Sequence, residues 1–89
     1  MRSGQVTVTT AGTAVQMTQV RGCEFEIKAL PGNTGIMYVG TDNTNAEVAA
    51  TTGYALSKSD SIIVYADDLS EFWVDSSVNG EKVCWMRTK

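Results

Sequence analysis

Cys23-Glu24-Phe25-Glu26-Ile27-Lys28-Ala29 alternates without a break: Cys23, Phe25, Ile27 and Ala29 point one way, and Glu24, Glu26 and Lys28 point the other. Successive side chains of an extended chain face opposite sides, so this stretch is a strand with one buried face and one wet face. No window of eleven residues elsewhere shows a helical period that beats a two-residue period. The strand reading therefore extends in both directions along the chain.

Upstream, Gln5 to Thr10 sets Val6 and Val8 against Thr7 and Thr9, and Ala11-Gly12-Thr13 punctuates before a short strand over Ala14 to Thr18. These two runs are expected to pair as a hairpin. Downstream, Leu30-Pro31-Gly32-Asn33-Thr34-Gly35 combines a fixed φ with residues that tolerate positive φ, so the chain reverses there before a strand over Ile36 to Gly40. Thr41 to Gly53 is small and polar and reads as a long loop with room for one helical turn. Tyr54 to Leu56 follows as a brief strand, then a turn over Ser57 to Asp60. Ser61 to Ala66 reads as a buried strand built on Ile62, Ile63, Val64 and Tyr65, which Asp67-Asp68-Leu69-Ser70 breaks. Glu71 to Ser76 and Glu81 to Thr88 are the last two strands. About eight short strands with turn signals between them predict an all-β fold, an antiparallel β-sandwich or small β-barrel in one domain over residues 1–89.

Asn79-Gly80 is the strongest short hairpin signal in the chain. As a two-residue turn it would set Val74 opposite Trp85, Trp73 opposite Met86 and Asp75 opposite Cys84, and opposed residues share a side. One side would then hold Phe72, Val74, Val83 and Trp85 as core. The reverse would hold Trp73, Cys84, Met86 and Asp75, too apolar to leave in water on a small monomer, and these four are the candidate interface. The alternative is a sandwich that encloses both sides, or a longer turn that shifts the register.

Composition narrows the function. Eleven Thr, seven Ser, eight Gly and four Asn occupy 30 of 89 positions, beside ten Val and one Pro, a mixture that favours strands and turns. Ten acids and seven bases give a net charge of −3 with no basic run, so no nucleic-acid partner is expected. No segment is apolar enough for a signal peptide or a bilayer span, so no membrane partner is expected and the chain reads as made in a cytosol. A chain of this length buries only roughly 60 to 65% of its unfolded surface, so help from neighbouring copies is expected.

Chemistry is sparse. His is absent, which removes the commonest general base and metal ligand. Cys23 reads as a small buried hydrophobe by its alternation with Phe25 and Ile27; a Cys23–Cys84 disulfide stays open at this level. Asp67, Asp68, Glu71 and Asp75 read as a solvated turn more readily than as a catalytic carboxylate pair, which needs a deep cleft. Asp42 to Glu47 lacks the alternating acids and central Gly of a calcium loop. The glycines are dispersed, with no phosphate cradle. Trp73, Trp85, Tyr38 and Tyr54 could make a sugar-stacking platform, though core and interface roles are commoner for such rings. No catalytic residue, cofactor or metal is expected, and the chain does not read as an enzyme.

Three stretches resemble a known group. Gly4-Gln5-Val6-Thr7-Val8-Thr9-Thr10-Ala11-Gly12-Thr13-Ala14-Val15-Gln16, then Ile27-Lys28-Ala29-Leu30-Pro31-Gly32-Asn33-Thr34-Gly35-Ile36-Met37-Tyr38-Val39-Gly40, and finally Asp68-Leu69-Ser70-Glu71-Phe72-Trp73-Val74-Asp75 with Val78-Asn79-Gly80-Glu81-Lys82-Val83 are similar to small all-β virion proteins of tailed bacteriophages. Lys82 and Cys84 depart from the pattern, standing where a Gly and a small hydroxyl residue would be expected. The resemblance implies a capsid decoration or cement protein that binds the head shell in many copies, with the major capsid protein or another virion protein as partner and the virion as its location. Symmetric self-association as a dimer or trimer suits that role, because weak single contacts add up on a repeating surface. A tail, neck or fibre-attachment component and a carbohydrate-binding adhesion module are the alternatives.

Overall fold

The first and last strands of the molecule lie side by side, and the pairing nests inward from there. The structure is a computed structural model that describes residues 2–43 and 53–89. Its strands are β1 (Ser3–Val8), β2 (Val15–Gln16), β3 (Glu24–Ala29), β4 (Met37–Gly40), β5 (Tyr54–Leu56), β6 (Ser61–Tyr65), β7 (Trp73–Ser76) and β8 (Glu81–Arg87). Each overlaps a stretch read as a strand, although β1 begins and ends two residues earlier than the expected Gln5 to Thr10. The antiparallel pairs β1–β8, β2–β7, β3–β6 and β4–β5 are nested, and β3–β8 and β4–β7 join them into two four-stranded sheets. The first sheet runs β1-β8-β3-β6 and the second β2-β7-β4-β5. Every connection but that from β4 to β5 passes from one sheet to the other. This is a long hairpin rolled into two layers, the strand order of an eight-stranded jelly roll.

Both expected hairpins are corrected by this topology. Gly12 does turn the chain, with φ +89° and Thr13 N–H donating to Thr10 O, yet β1 and β2 go to different sheets. Nor does Asn79-Gly80 close a β7–β8 hairpin: β7 pairs with β2 and β4, and β8 with β1 and β3. A two-residue type I′ turn needs positive φ at both central residues, but only Gly80 has it, at +78°. Asn79 is instead held by a tertiary contact, its Oδ1 accepting from Ala11 N–H at 2.7 Å. The Val74–Trp85, Trp73–Met86 and Asp75–Cys84 oppositions therefore do not form.

Inward parity fills the space between the sheets with Val6 and Val8 of β1, Phe25, Ile27 and Ala29 of β3, Met37 and Val39 of β4, Val83 and Trp85 of β8, and Leu56, Val64 and Val74 of β5, β6 and β7. Met17, Val20 and Leu69 enter from the connections. Asp68 caps the 3-10 helix Leu69–Glu71, its Oδ1 accepting from Ser70 N–H and Oγ, while Glu71 reaches back to the Asp68 N–H. The same Asp68 oxygen accepts from Val20 N–H, and Leu69 N–H donates to Val20 O, so two crossovers between the sheets are fastened together. This short helix replaces the start of the strand expected from Glu71. The expected reversal over 30–35 is present and is clamped to β8 by Asn33, whose side-chain amide donates to Lys82 O and accepts from Lys82 N–H, completing one rung of strand-like pairing. Most of the loop expected over 41–53 lies outside the described residues.

Candidate functional site

Parity and register fix what the outer face of the first sheet presents. Phe25, Ile27 and Ala29 face the core, so Glu24, Glu26 and Lys28 of β3 face outward, with Lys82, Cys84 and Met86 of β8, Ser3, Gln5 and Thr7 of β1, and Ser61, Ile63 and Tyr65 of β6. One rung across the sheet reads Ile63, Glu26, Met86, Ser3; the next reads Ser61, Lys28, Cys84, Gln5. A depression on this face is lined by Gln5, Glu26, Lys28, Cys84 and Met86, among others. Ile63 is 45% exposed, Tyr65 73% and Met86 40%, which makes this face a mixture of apolar patches and single charges.

At one end of the face, the Glu24 carboxylate accepts from Thr88 Oγ1 at 2.6 Å. That hydrogen bond holds the Glu24 carboxyl below its ordinary value of 4.5 against the opposing effect of burial, with smaller help from the Tyr65 hydroxyl and the Lys89 charge. Thr88 N–H also donates to Glu24 O, so the C-terminal segment is tied to β3.

The four candidate interface residues are divided between the two sheets. Cys84 and Met86 lie on the outer face just described. Trp73 and Asp75 lie on β7 in the second sheet. Trp73 is half-buried, on a rung with Gln16 and Gly40. Asp75 is fully buried, and its Oδ1 accepts from Gly12 N–H at 3.0 Å and from Ser76 N–H at 2.8 Å. It fastens the turn after β1 to β7.

Several further readings change. Both cysteines are free. Cys23 is exposed, not buried as its alternation suggested, because it precedes the first residue of β3, where the sheet is ending. β6 is not buried on both faces: Ile62 and Val64 turn inward and Ile63 and Tyr65 are left in water. Ile63 and Tyr65 are the site residues that sequence reasoning missed. The signal that could have found them was the parity of β6 itself, masked by a run of four apolar residues.

Glu81 was also unforeseen as a buried group. It faces inward at the start of β8, 8% exposed, and its Oε1 accepts from Thr34 N–H and Gly35 N–H at 2.5 and 2.6 Å. Trp85 is buried as expected, and its indole Nε1–H has no hydrogen-bond partner among the described residues. A Cβ on Gly4 would lie 3.0 Å from that ring, so glycine is what lets β1 close over Trp85. Among the described residues no group of three His, Cys, Asp or Glu could hold a metal ion, and no helix is long and apolar enough to cross a membrane. Comparison with known proteins finds no matching family model, no matching curated protein and no matching solved structure.

Proposed function

We propose that this chain is a structural protein of a tailed-bacteriophage virion, a decoration or cement protein that adheres to the head shell in many copies. The observation that carries the reading is the outer face of the first sheet, where Ile63, Tyr65 and Met86 stand in water on a two-layer scaffold. Exposed apolar groups rimmed by single charges suit contact with another protein surface. The jelly-roll strand order suits the reading without selecting it, since that architecture also serves lectins and cupins. The virion context rests on the resemblance of the three stretches quoted above to small all-β virion proteins.

Such a protein acts by area and repetition. Each copy bridges neighbouring coat subunits through a small patch, and many weak contacts on a periodic shell hold more firmly than one. Added contact area opposes the outward pressure of packaged DNA. The decisive measurement is the copy number of this chain in purified particles by quantitative mass spectrometry, with immunogold labelling of its position. Hundreds of copies on the head are expected. A few copies at the neck or tail would move the assignment to an adaptor, and absence from particles would overturn it.

A further inference from the structure

We propose that β6 is the self-association edge of this chain: two copies add strand to strand about a two-fold axis at Ile63, joining their first sheets into one continuous eight-stranded sheet.

Among the described residues, β6 closes the first sheet on one side, with β3 as its only neighbouring strand. The hydrogen bonds fix which backbone groups are used. Ala66 N–H donates to Cys23 O, and Ala29 N–H donates to Asp60 O, while the register between them runs without a bulge. In an antiparallel ladder a residue's N–H and C=O point to the same side, so Ile62 and Val64 bond to β3. Ser61, Ile63 and Tyr65 therefore aim their N–H and C=O groups away from the sheet, at the open edge. These are the same three residues whose side chains face outward and are exposed.

A second copy fits this edge by symmetry. With a two-fold axis at Ile63, Ile63 opposes itself and Ser61 opposes Tyr65, so outward-pointing groups meet outward-pointing groups at every position. The strand Ser61-Ile62-Ile63-Val64-Tyr65 carries no charge, so the pairing sets no like charges face to face, and the exposed Ile63 side chains pack against each other with Tyr65 on the diagonal. An uncharged, β-branched edge is the kind that other sheet proteins blunt with Lys or Pro. The other edge of this sheet, β1, presents Ser3, Gln5 and Thr7, which are polar, and a β1–β6 contact between copies would be head-to-tail and would propagate. In the second sheet the edge strands are only two and three residues long. The five-residue seam is small beside a standard interface, so the dimer depends on concentration. The inference takes up the self-association in the proposed function but does not depend on the virion assignment.

Sedimentation equilibrium of the full chain from micromolar to millimolar concentration tests it. The mass is expected to double across that range. Ile63→Lys is expected to remain monomeric with an unchanged far-ultraviolet circular dichroism spectrum, since the side chain points into water, whereas Thr7→Lys on the β1 edge leaves the dimer intact. In a Cys23→Ser, Cys84→Ser background, Ile63→Cys is expected to give a covalent dimer on mild oxidation, because hydrogen-bonded antiparallel partners sit about 5.5 Å apart, within disulfide reach. A chain that stays monomeric, a dimer that survives Ile63→Lys, a dimer lost in Thr7→Lys, open-ended polymers, or a dimer whose Ile63→Cys form does not cross-link would each overturn the edge assignment. A monomer found abundantly in particles would sink the edge and spare the virion reading; a β6 dimer absent from particles would do the reverse.

Discussion

Glu81→Ala is expected to cost more stability than any single exposed substitution in this chain. The carboxylate lies at the mouth of the core, 8% exposed, and accepts from two consecutive backbone N–H groups, those of Thr34 and Gly35. Hydrogen bonds to a charged acceptor contribute about 1.5 to 3 kcal/mol each. Thr34 is itself exposed, so water replaces part of what the alanine removes, and the net loss is about 2 to 3 kcal/mol. Glu81→Gln keeps an acceptor oxygen in place and loses only the charge, for a cost of about 1 kcal/mol. With a urea slope of roughly 1 kcal/mol/M for a chain of this size, the unfolding midpoint falls by about 2 to 3 M in the alanine variant and about 1 M in the glutamine variant. Thr34→Val removes only a 3.4 Å hydroxyl contact and leaves the midpoint nearly unmoved. Equal losses for glutamine and alanine, or an alanine shift under about 0.5 M, would refute the claim that this oxygen organises the turn after β3.

Leu69, fully buried where two crossovers are fastened together, is expected to lose about 3 kcal/mol on Leu69→Ala, read as a lower urea midpoint with an unchanged slope. Gly35→Ala would set a Cβ 2.5 Å from Ser77 Oγ and 2.7 Å from Val78 Cγ2, so thermal unfolding should report a loss of about 1 to 3 kcal/mol from overpacking. Hydrogen bonds from Ser70, through its N–H and then its hydroxyl, hold the Asp68 carboxyl below its ordinary 3.8, as the Thr88 hydroxyl holds Glu24 below 4.5. A depressed carboxylate stabilises the fold above its unfolded value and loses that contribution as pH falls through the folded one. The melting temperature should therefore carry the full contribution of both groups near neutrality and fall on acidification below about pH 4.5, with a shallower acid limb in Asp68→Asn; identical acid limbs would count against the cap.

The strands were legible because alternation is a property of one strand, whereas pairing is a property of two. Val74, Val83 and Trp85 are buried as expected although the hairpin used to place them does not exist, since parity along β7 and along β8 needs no partner. What failed was the assumption that a turn joins neighbours. Gly12 and Gly80 bend the chain as their positive φ requires, but each bend carries it to the opposite sheet. The pairing that defines the fold, β1 with β8, links residues at opposite ends of the sequence, and no local signal reports it. Asp75 and Glu81 were illegible for the same reason: each is buried because a distant backbone N–H, from Gly12 or from Thr34 and Gly35, needs an acceptor there.

The candidate site fared differently, and the error in β6 is the instructive one. Four consecutive apolar residues read as a strand covered on both faces, the pattern of a central strand in a buried sheet. The fold puts that strand at an edge, covers Ile62 and Val64, and leaves Ile63 and Tyr65 outside. Trp73, by contrast, was expected outside and is half-buried. The two departures have one cause: sequence records how apolar a position is, and topology decides whether the covering comes from the same chain. Where the chain supplies it, as over Asp75, the residue belongs to the fold. Where an apolar run meets an open backbone edge, as at Ser61, Ile63 and Tyr65, water can satisfy the N–H and C=O groups but not cover the apolar side chains, and the covering we propose is the same strand of a second copy.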